Sequence, residues 1–183
     1  MIKGIVCVAK DWGIGKNNGL LFNLPADMQF FRATTQHSIV VMGYSTYMSL
    51  PKRPLPNRIN IVLWDKAPLP VETKDGAIFF NNFETLYTFV DILAHVGKQL
   101  GKEEYDVYIA GGASIYKLFL PYYDEILLTY VDATDPEATV FFPNLDNEKI
   151  SYYLDEVTGK GKDDKSGLTY EFRTYKRREN SII

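Results

Sequence analysis

The sequence predicts an α/β fold: a three-layer sandwich on a mainly parallel central sheet, with helices on both faces and a C-terminal antiparallel hairpin. Three observations predict it. Short, almost wholly apolar runs rich in β-branched residues recur at Ile2 to Ala9, Ile39 to Met42, Ile59 to Trp64, Ala77 to Phe80, Val107 to Ala110 and Ile126 to Val131. Strands that are apolar on both sides are buried on both faces, as parallel strands are. Helical segments separate them at Ala26 to Thr35, Ser45 to Leu50, Phe83 to Val96 and Ala113 to Leu120, and parallel strands need such crossovers. The C-terminal part then changes character. Tyr152 to Thr158 and Leu168 to Tyr175 read as two strands joined by the Gly- and Lys-rich segment Gly159 to Gly167, an antiparallel pair added at the sheet edge.

The elements follow in order. The first strand carries the single cysteine, Cys7, which reads as a small buried hydrophobe and excludes an internal disulfide. Pro25 suits the first turn of the first helix, where its missing N–H costs nothing. That helix places Asp27 and Phe31 on one face at i and i+4, beside Met28 and Phe30. Two readings are open for this carboxylate. It supports the positive end of the helix dipole, or it faces a cleft, where desolvation makes it a proton handler or the partner of a cationic ligand. Ser45 is the expected cap of the second helix. Pro51 to Pro56 reads as a stiff surface loop presenting Lys52 and Arg53. In the fourth helix, Ile115, Leu118 and Phe119 form the apolar face, and Pro121 ends it.

With 183 residues, 46% of them hydrophobic, the chain fits one domain, residues 1–183, with a substantial core. A net charge of -3 argues against a general nucleic-acid binder, although a local basic patch can hold an anion. Lys176-Arg177-Arg178 reads as a solvated tail. His37 and His95 lack metal-ligand spacing, so no metal is expected. There is no signal-peptide pattern and no apolar run of membrane-spanning length, so the expected setting is the cytoplasm, with no membrane partner.

Three glycine-containing segments follow strands. Gly13-Ile14-Gly15 with Asn17-Asn18-Gly19 forms a long flexible loop ahead of Asp27, able to close as a lid. Met42-Gly43-Tyr44-Ser45-Thr46 and Ala110-Gly111-Gly112-Ala113-Ser114 each pass from strand to helix, exposing backbone N–H groups suited to phosphate oxygens. Neither junction has the spacing of a GxGxxG fingerprint or the lysine of a Walker loop. Together they suggest a dinucleotide lying across the carboxyl ends of the strands.

These residues carry a specific resemblance. Gly13-Ile14-Gly15, Asn23-Leu24-Pro25-Ala26-Asp27, Met42-Gly43, Thr46, Arg53-Pro54-Leu55-Pro56-Asn57-Arg58, Gly111-Gly112 with Ile115-Tyr116, Leu120-Pro121, Thr129 and Phe142-Pro143 occur in the order and approximate spacing of the dihydrofolate reductase family, which the chain resembles from residue 2 to about residue 143. The resemblance implies NADPH-dependent reduction of 7,8-dihydrofolate to tetrahydrofolate for one-carbon metabolism, by a cytoplasmic monomer that antifolates inhibit.

The resemblance also implies roles. Asp27 would accept two hydrogen bonds from the pterin's amino group and ring nitrogen and favour the protonated substrate that accepts hydride. The proton itself would arrive through water near Phe22. Thr129 would hydrogen-bond Asp27, its other reading being an ordinary strand threonine. Ile5, Cys7, Met28, Phe31, Leu50 and Leu55 would wall the pterin and benzoyl ring, and Arg58 would pair bidentately with the glutamate α-carboxylate. Gly111 and Gly112, joined by a peptide bond that is cis in the family, would let the backbone approach the cofactor. Ser45 and Thr46 would face its phosphates and nicotinamide ribose, and Tyr116 would lie near the nicotinamide and the pterin. The remaining cofactor contacts would fall on Val8, Ala9, Ile14, Gly15, Gly19, Leu20, Gly43, Tyr44, Leu63, Trp64, Asp65, Ala110, Ala113, Ser114 and Ile115.

Five positions depart from the family pattern. Phe22 stands where many relatives carry a tryptophan, and phenylalanine donates no hydrogen bond to a water. Thr139 replaces an aspartate that often latches the lid loop. At the adenosine end, Tyr44, Asp65 and Ser114 occupy positions where relatives hold the 2′-phosphate with cationic and hydroxyl side chains. An acid after a strand more often reads a free 2′-hydroxyl; the resemblance implies NADPH, weak NADP discrimination or use of NADH is the other open reading, and Lys66 or Lys52-Arg53 could supply the missing charge. Two other readings stay open: a related-fold NADPH reductase of another pterin or a pyrimidine, and a non-catalytic folate- or dinucleotide-binding module.

Overall fold

The computed structural model describes residues 1–17 and 19–179; Asn18, in the expected lid loop, lies outside the described residues. The chain runs β1 (Ile2–Ala9), β2 (Gly13–Lys16), β3 (Gly19–Leu20), α1 (Pro25–Thr35), β4 (Ile39–Gly43), α2 (Tyr44–Ser49), β5 (Ile59–Leu63), β6 (Val71–Lys74), β7 (Ala77–Phe80), α3 (Phe83–Leu100), β8 (Val107–Ile109), α4 (Ala113–Phe119), β9 (Glu125–Val131), β10 (Val140–Phe141), β11 (Tyr152–Lys162) and β12 (Thr169–Arg177). Nine of these strands form one sheet in the order β11-β12-β9-β1-β8-β4-β5-β7-β6. The strands from β9 to β7 are parallel, and β6 and the β11–β12 hairpin are antiparallel edges.

Successive side chains of a strand point to opposite faces, so the apolar runs split into two cores. Ile39 and Val41 of β4 and Ile61 of β5 join one cluster with Leu86, Val90 and Ala94 of α3 and Ile115 and Phe119 of α4. Val40, Met42 and Val62 join the other, with Tyr47 of α2 and Phe31 of α1 packed on it. The expected three layers are therefore present. Asn82 caps α3, its side chain accepting the Thr85 N–H at 2.9 Å, and Gly101 ends it in the left-handed region at φ 64°.

Several local expectations change. The loop ahead of Asp27 is a β2–β3 hairpin that joins β10 in a second, three-stranded sheet. Thr139 takes part through its backbone, donating to the Gly15 carbonyl at 3.1 Å, while Lys16 Nζ reaches Asp135 at 2.5 Å and Glu137 at 3.3 Å. Strand β11 continues through Gly159 to Lys162, and the turn tightens to the next few residues, where Asp163 accepts the Ser166 N–H at 2.7 Å. Leu118 is 39% exposed, and Tyr116 takes its place in the buried face of α4. The segment 176–178 is no tail: Lys176 and Arg177 lie in β12, Lys176 pairs with Asp155 at 2.8 Å and Arg177 Nε donates to the Tyr123 carbonyl at 2.9 Å. Cys7 is half-buried where full burial was expected. Strand β6 had no apolar signal because its residues are largely exposed at the sheet edge.

Candidate active site

The sheet places a crevice where the loops after β1 and β8 part. The chain leaving β1 returns as α1 on the Val40–Met42 face, and the chain leaving β8 returns as α4 on the opposite face. Ligands of open α/β sheets bind outside the carboxyl ends of the strands at such a divergence.

The Asp27 carboxylate lies on the α1 side of this crevice. Strand β9 pairs with β1 so that Thr129 sits opposite Cys7, and the Thr129 hydroxyl donates to Asp27 Oδ1 at 2.7 Å. Burial raises the Asp27 pKa above that of an ordinary aspartate, and the Thr129 bond opposes part of the rise. The same burial, followed by the charge of Asp27, pushes the Cys7 thiol and the Tyr116 phenol up. Both therefore stay neutral beside Asp27. Asp27 is thus desolvated and bonded across to a strand, which a dipole partner at the surface would not be.

The apolar wall is assembled from several elements. Ile5 is buried, and Phe31, Leu50 and Leu55 pack on the Val40–Met42 cluster. Met28, on α1, is 46% exposed. Arg58 lies at the far end of α1, its Nη1 donating to Thr35 Oγ1 at 3.2 Å and its Nε to the Pro56 carbonyl at 2.9 Å. Burial and the nearby Arg32 cation lower its pKa, and both effects make an anionic partner favourable there. Sequence reasoning missed Asn60, which is 1% exposed. Its side chain accepts the Leu55 N–H at 2.9 Å and donates to the carbonyls of Leu55 and Arg58 at 2.9 and 3.1 Å, so it ties down the loop that presents both residues. A polar residue inside an apolar strand run was the available signal.

The two Gly junctions meet. The Gly43 N–H donates to the Gly111 carbonyl at 2.8 Å, and the Gly111–Gly112 peptide is cis with Gly111 at φ 113°. A Cβ on Gly43 would lie 3.2 Å from Ile115 Cγ1, and one on Gly112 would lie 3.2 Å from Thr46 Oγ1. The backbones thus form a side-chain-free cradle beside Thr46. Tyr116 closes its floor, its hydroxyl donating to the Ile5 carbonyl at 2.8 Å. Ser45 is not the cap of α2: the helix starts at Tyr44, with Gly43 as its cap and no side-chain bond. Ser45, Asp65 and Ser114 are exposed, and Ala110 and Ala113 are half-buried. Tyr44 and Trp64 stack at 4.4 Å with an interplanar angle of 10°, and Leu63 precedes them at the end of β5. Val8 and Ala9 are fully buried. Ile14 and Gly15 lie in β2 and Gly19 and Leu20 in β3, Leu20 being 65% exposed; Phe22 is half-buried in the segment between β3 and α1.

Comparisons with known proteins agree with this layout. The dihydrofolate reductase family model matches residues 1–177. The dihydrofolate reductase of Haemophilus influenzae is 33% identical over 143 residues, covering 78% of this chain and 79% of that protein. The Bacillus subtilis enzyme is 30% identical over 181 residues, covering 99% and 97%. Among solved structures, dihydrofolate reductase from Enterococcus faecalis, complexed with NADP(H) and RAB-propyl, superposes with a TM-score of 0.79 at 27% identity, covering 98% of this chain and 97% of that one. On this extent of matching, the chain belongs to the dihydrofolate reductase family.

Proposed function

We propose that the protein reduces 7,8-dihydrofolate to tetrahydrofolate with NADPH, binding the pterin at Asp27 and the cofactor along the Gly43 and Gly111–Gly112 turns. The observation that carries this is the Asp27–Thr129 pair, a desolvated carboxylate fixed at 2.7 Å inside an apolar wall. Ionised, Asp27 accepts two hydrogen bonds from the pterin's amino group and ring nitrogen, holds the ring in register and stabilises positive charge developing on it. Ile5, Phe31, Leu50 and Leu55 exclude water from the ring faces, and Arg58 pairs with the glutamate carboxylate. The close backbone approach at Gly43 and Gly112, where a Cβ would press on Ile115 and Thr46, supports placing a dinucleotide along these two turns. When bound, the nicotinamide supplies hydride to the imine carbon of the pterin. The imine nitrogen takes its proton from water, and the Asp27 charge raises the share of substrate able to hold that proton.

At the adenosine end, Tyr44, Asp65 and Ser114 carry no positive charge. Discrimination for the 2′-phosphate is therefore weak, and NADH serves as a second hydride donor. Steady-state turnover of dihydrofolate with each nicotinamide tests reaction and preference together. Both should support turnover; a kcat/KM for NADPH more than about a hundredfold above that for NADH, the scale of one lost charged contact, refutes the weak discrimination.

No helix among the described residues is long and apolar enough to cross a membrane. A cytoplasmic monomer that takes antifolates in the pterin site fits this reading.

A further inference from the structure

Thr129 has a second neighbour in the sheet. Strand β12 pairs with β9 so that Phe172 lies opposite Thr129, and Cys7, Thr129 and Phe172 therefore form one row across three strands, their side chains on the face that carries α1. Phe172 stacks on Phe30 of α1, with ring centroids 4.7 Å apart and planes 22° apart, and Tyr170 backs it at 5.5 Å. Phe30 and Phe31 are about 100° apart around the helix axis. Phe31 is held by the Val40–Met42 core and Phe30 by the hairpin. The two contacts together fix the roll of α1, and Asp27, one turn before them, takes its direction from that roll.

We propose that Phe172, on the edge hairpin, is a positioning residue for Asp27, acting through its stack on Phe30. This rests on Asp27 as the pterin anchor. The titratable groups that feel Asp27 are the Cys7 thiol on β1 and the Tyr116 phenol on α4; Thr129 on β9 supplies its hydrogen bond, and β12 presents only the apolar ring of Phe172 in this row.

The test is Phe172→Ala, with Phe172→Leu as a second variant that keeps apolar bulk without the ring. The Asp27 carboxyl is titrated by 13C NMR in the ligand-free protein, and KM for dihydrofolate and for NADPH are measured separately. Loss of the stack hydrates the carboxyl, and because burial outweighs the Thr129 bond in setting its pKa, its titration moves to lower pH. KM for dihydrofolate rises about 2- to 10-fold, the scale of one aromatic pair, and KM for NADPH stays put. Phe172→Tyr restores both values, and Phe30→Ala with Phe172→Ala is no worse than either alone. An unmoved titration in folded Phe172→Ala and Phe172→Leu overturns the proposal, as does an equal rise in both KM values. If Asp27→Asn keeps full turnover, the anchor reading falls, and the ligand-free titration still decides whether Phe172 positions the carboxyl.

Discussion

The hydroxyl of Thr129 is the group whose removal tests the electrostatics of the pocket most directly. Thr129→Val keeps the β-branched shape and the ladder positions opposite Cys7 and Phe172, and it deletes one hydrogen bond of 2.7 Å to Asp27 Oδ1. Thr129 is 1% exposed, so no water enters in its place. A hydrogen bond to a charged group is worth about 1.5–3 kcal/mol, and one pKa unit corresponds to about 1.36 kcal/mol. The Asp27 pKa, already raised by burial and held down in part by this bond, should therefore climb by roughly 1–2 units more. With the pterin held by the anion as proposed, the acid limb of kcat/KM for dihydrofolate should move up in pH by the same amount. Above the shifted limb the two profiles converge. The assay is the pH profile of kcat/KM at saturating NADPH, paired with a 13C titration of Asp27. An acid limb within about 0.3 units of the parent's shows that the bond does not set the ionisation of Asp27, a smaller shift than any bond of this class produces.

Other outcomes follow from the same geometry. Asp27→Asn should cut turnover at neutral pH by a large factor while leaving the NADPH dissociation constant nearly unchanged, and unchanged turnover removes Asp27 from the mechanism. The same variant should melt higher at pH 7. A carboxyl whose folded pKa lies above its unfolded value contributes stability that is complete below the unfolded pKa and lost as pH rises through the folded one, so the gain should vanish in melts run below about pH 4, the ordinary range for an aspartate. Arg58→Gln should raise KM for dihydrofolate by roughly 10- to 100-fold, the worth of a charge-assisted pair, with KM for NADPH fixed; equal effects on both would place the arginine elsewhere. Asn60→Ala leaves the Leu55 N–H and carbonyl without their side-chain partner. It should cost about 2–3 kcal/mol, a fall in Tm of roughly 5–10 °C by calorimetry for a chain of this size, with a weaker hold on dihydrofolate through Leu55 and Arg58.

Much of this architecture is legible in the sequence because its causes are local. The apolar runs that become β1, β4, β5, β7, β8 and β9 are mostly buried on both faces, so apolar residues dominate them and no period has to be judged. Helix α1 announces itself through Pro25 and through the spacing of Asp27 and Phe31. Strand β6 and the β2–β3 hairpin were hidden for the opposite reason: a short strand at an exposed edge, or one paired only with a distant β10, shows no hydrophobic pattern of its own. Ser45 misled as a cap because α2 starts one residue earlier, with Gly43 supplying only its backbone.

The site divides the same way. The sequence by itself determined which chemical groups are available: one carboxylate in an apolar helix, one arginine after a proline-rich loop, two Gly turns after parallel strands. Only the tertiary structure decided what those groups do to one another. Asp27 and Thr129 are 102 positions apart, and their bond exists because β9 pairs beside β1 in a register that sets Thr129 against Cys7. Gly43 reaches Gly111 because β8 inserts between β1 and β4. Phe172 meets Phe30 because the C-terminal hairpin adds to that same edge. Local periodicity carries no information about which strand lies beside which; that choice is made by the fit of whole faces in the core. The desolvation that sets Asp27 apart from an ordinary aspartate follows from that fit.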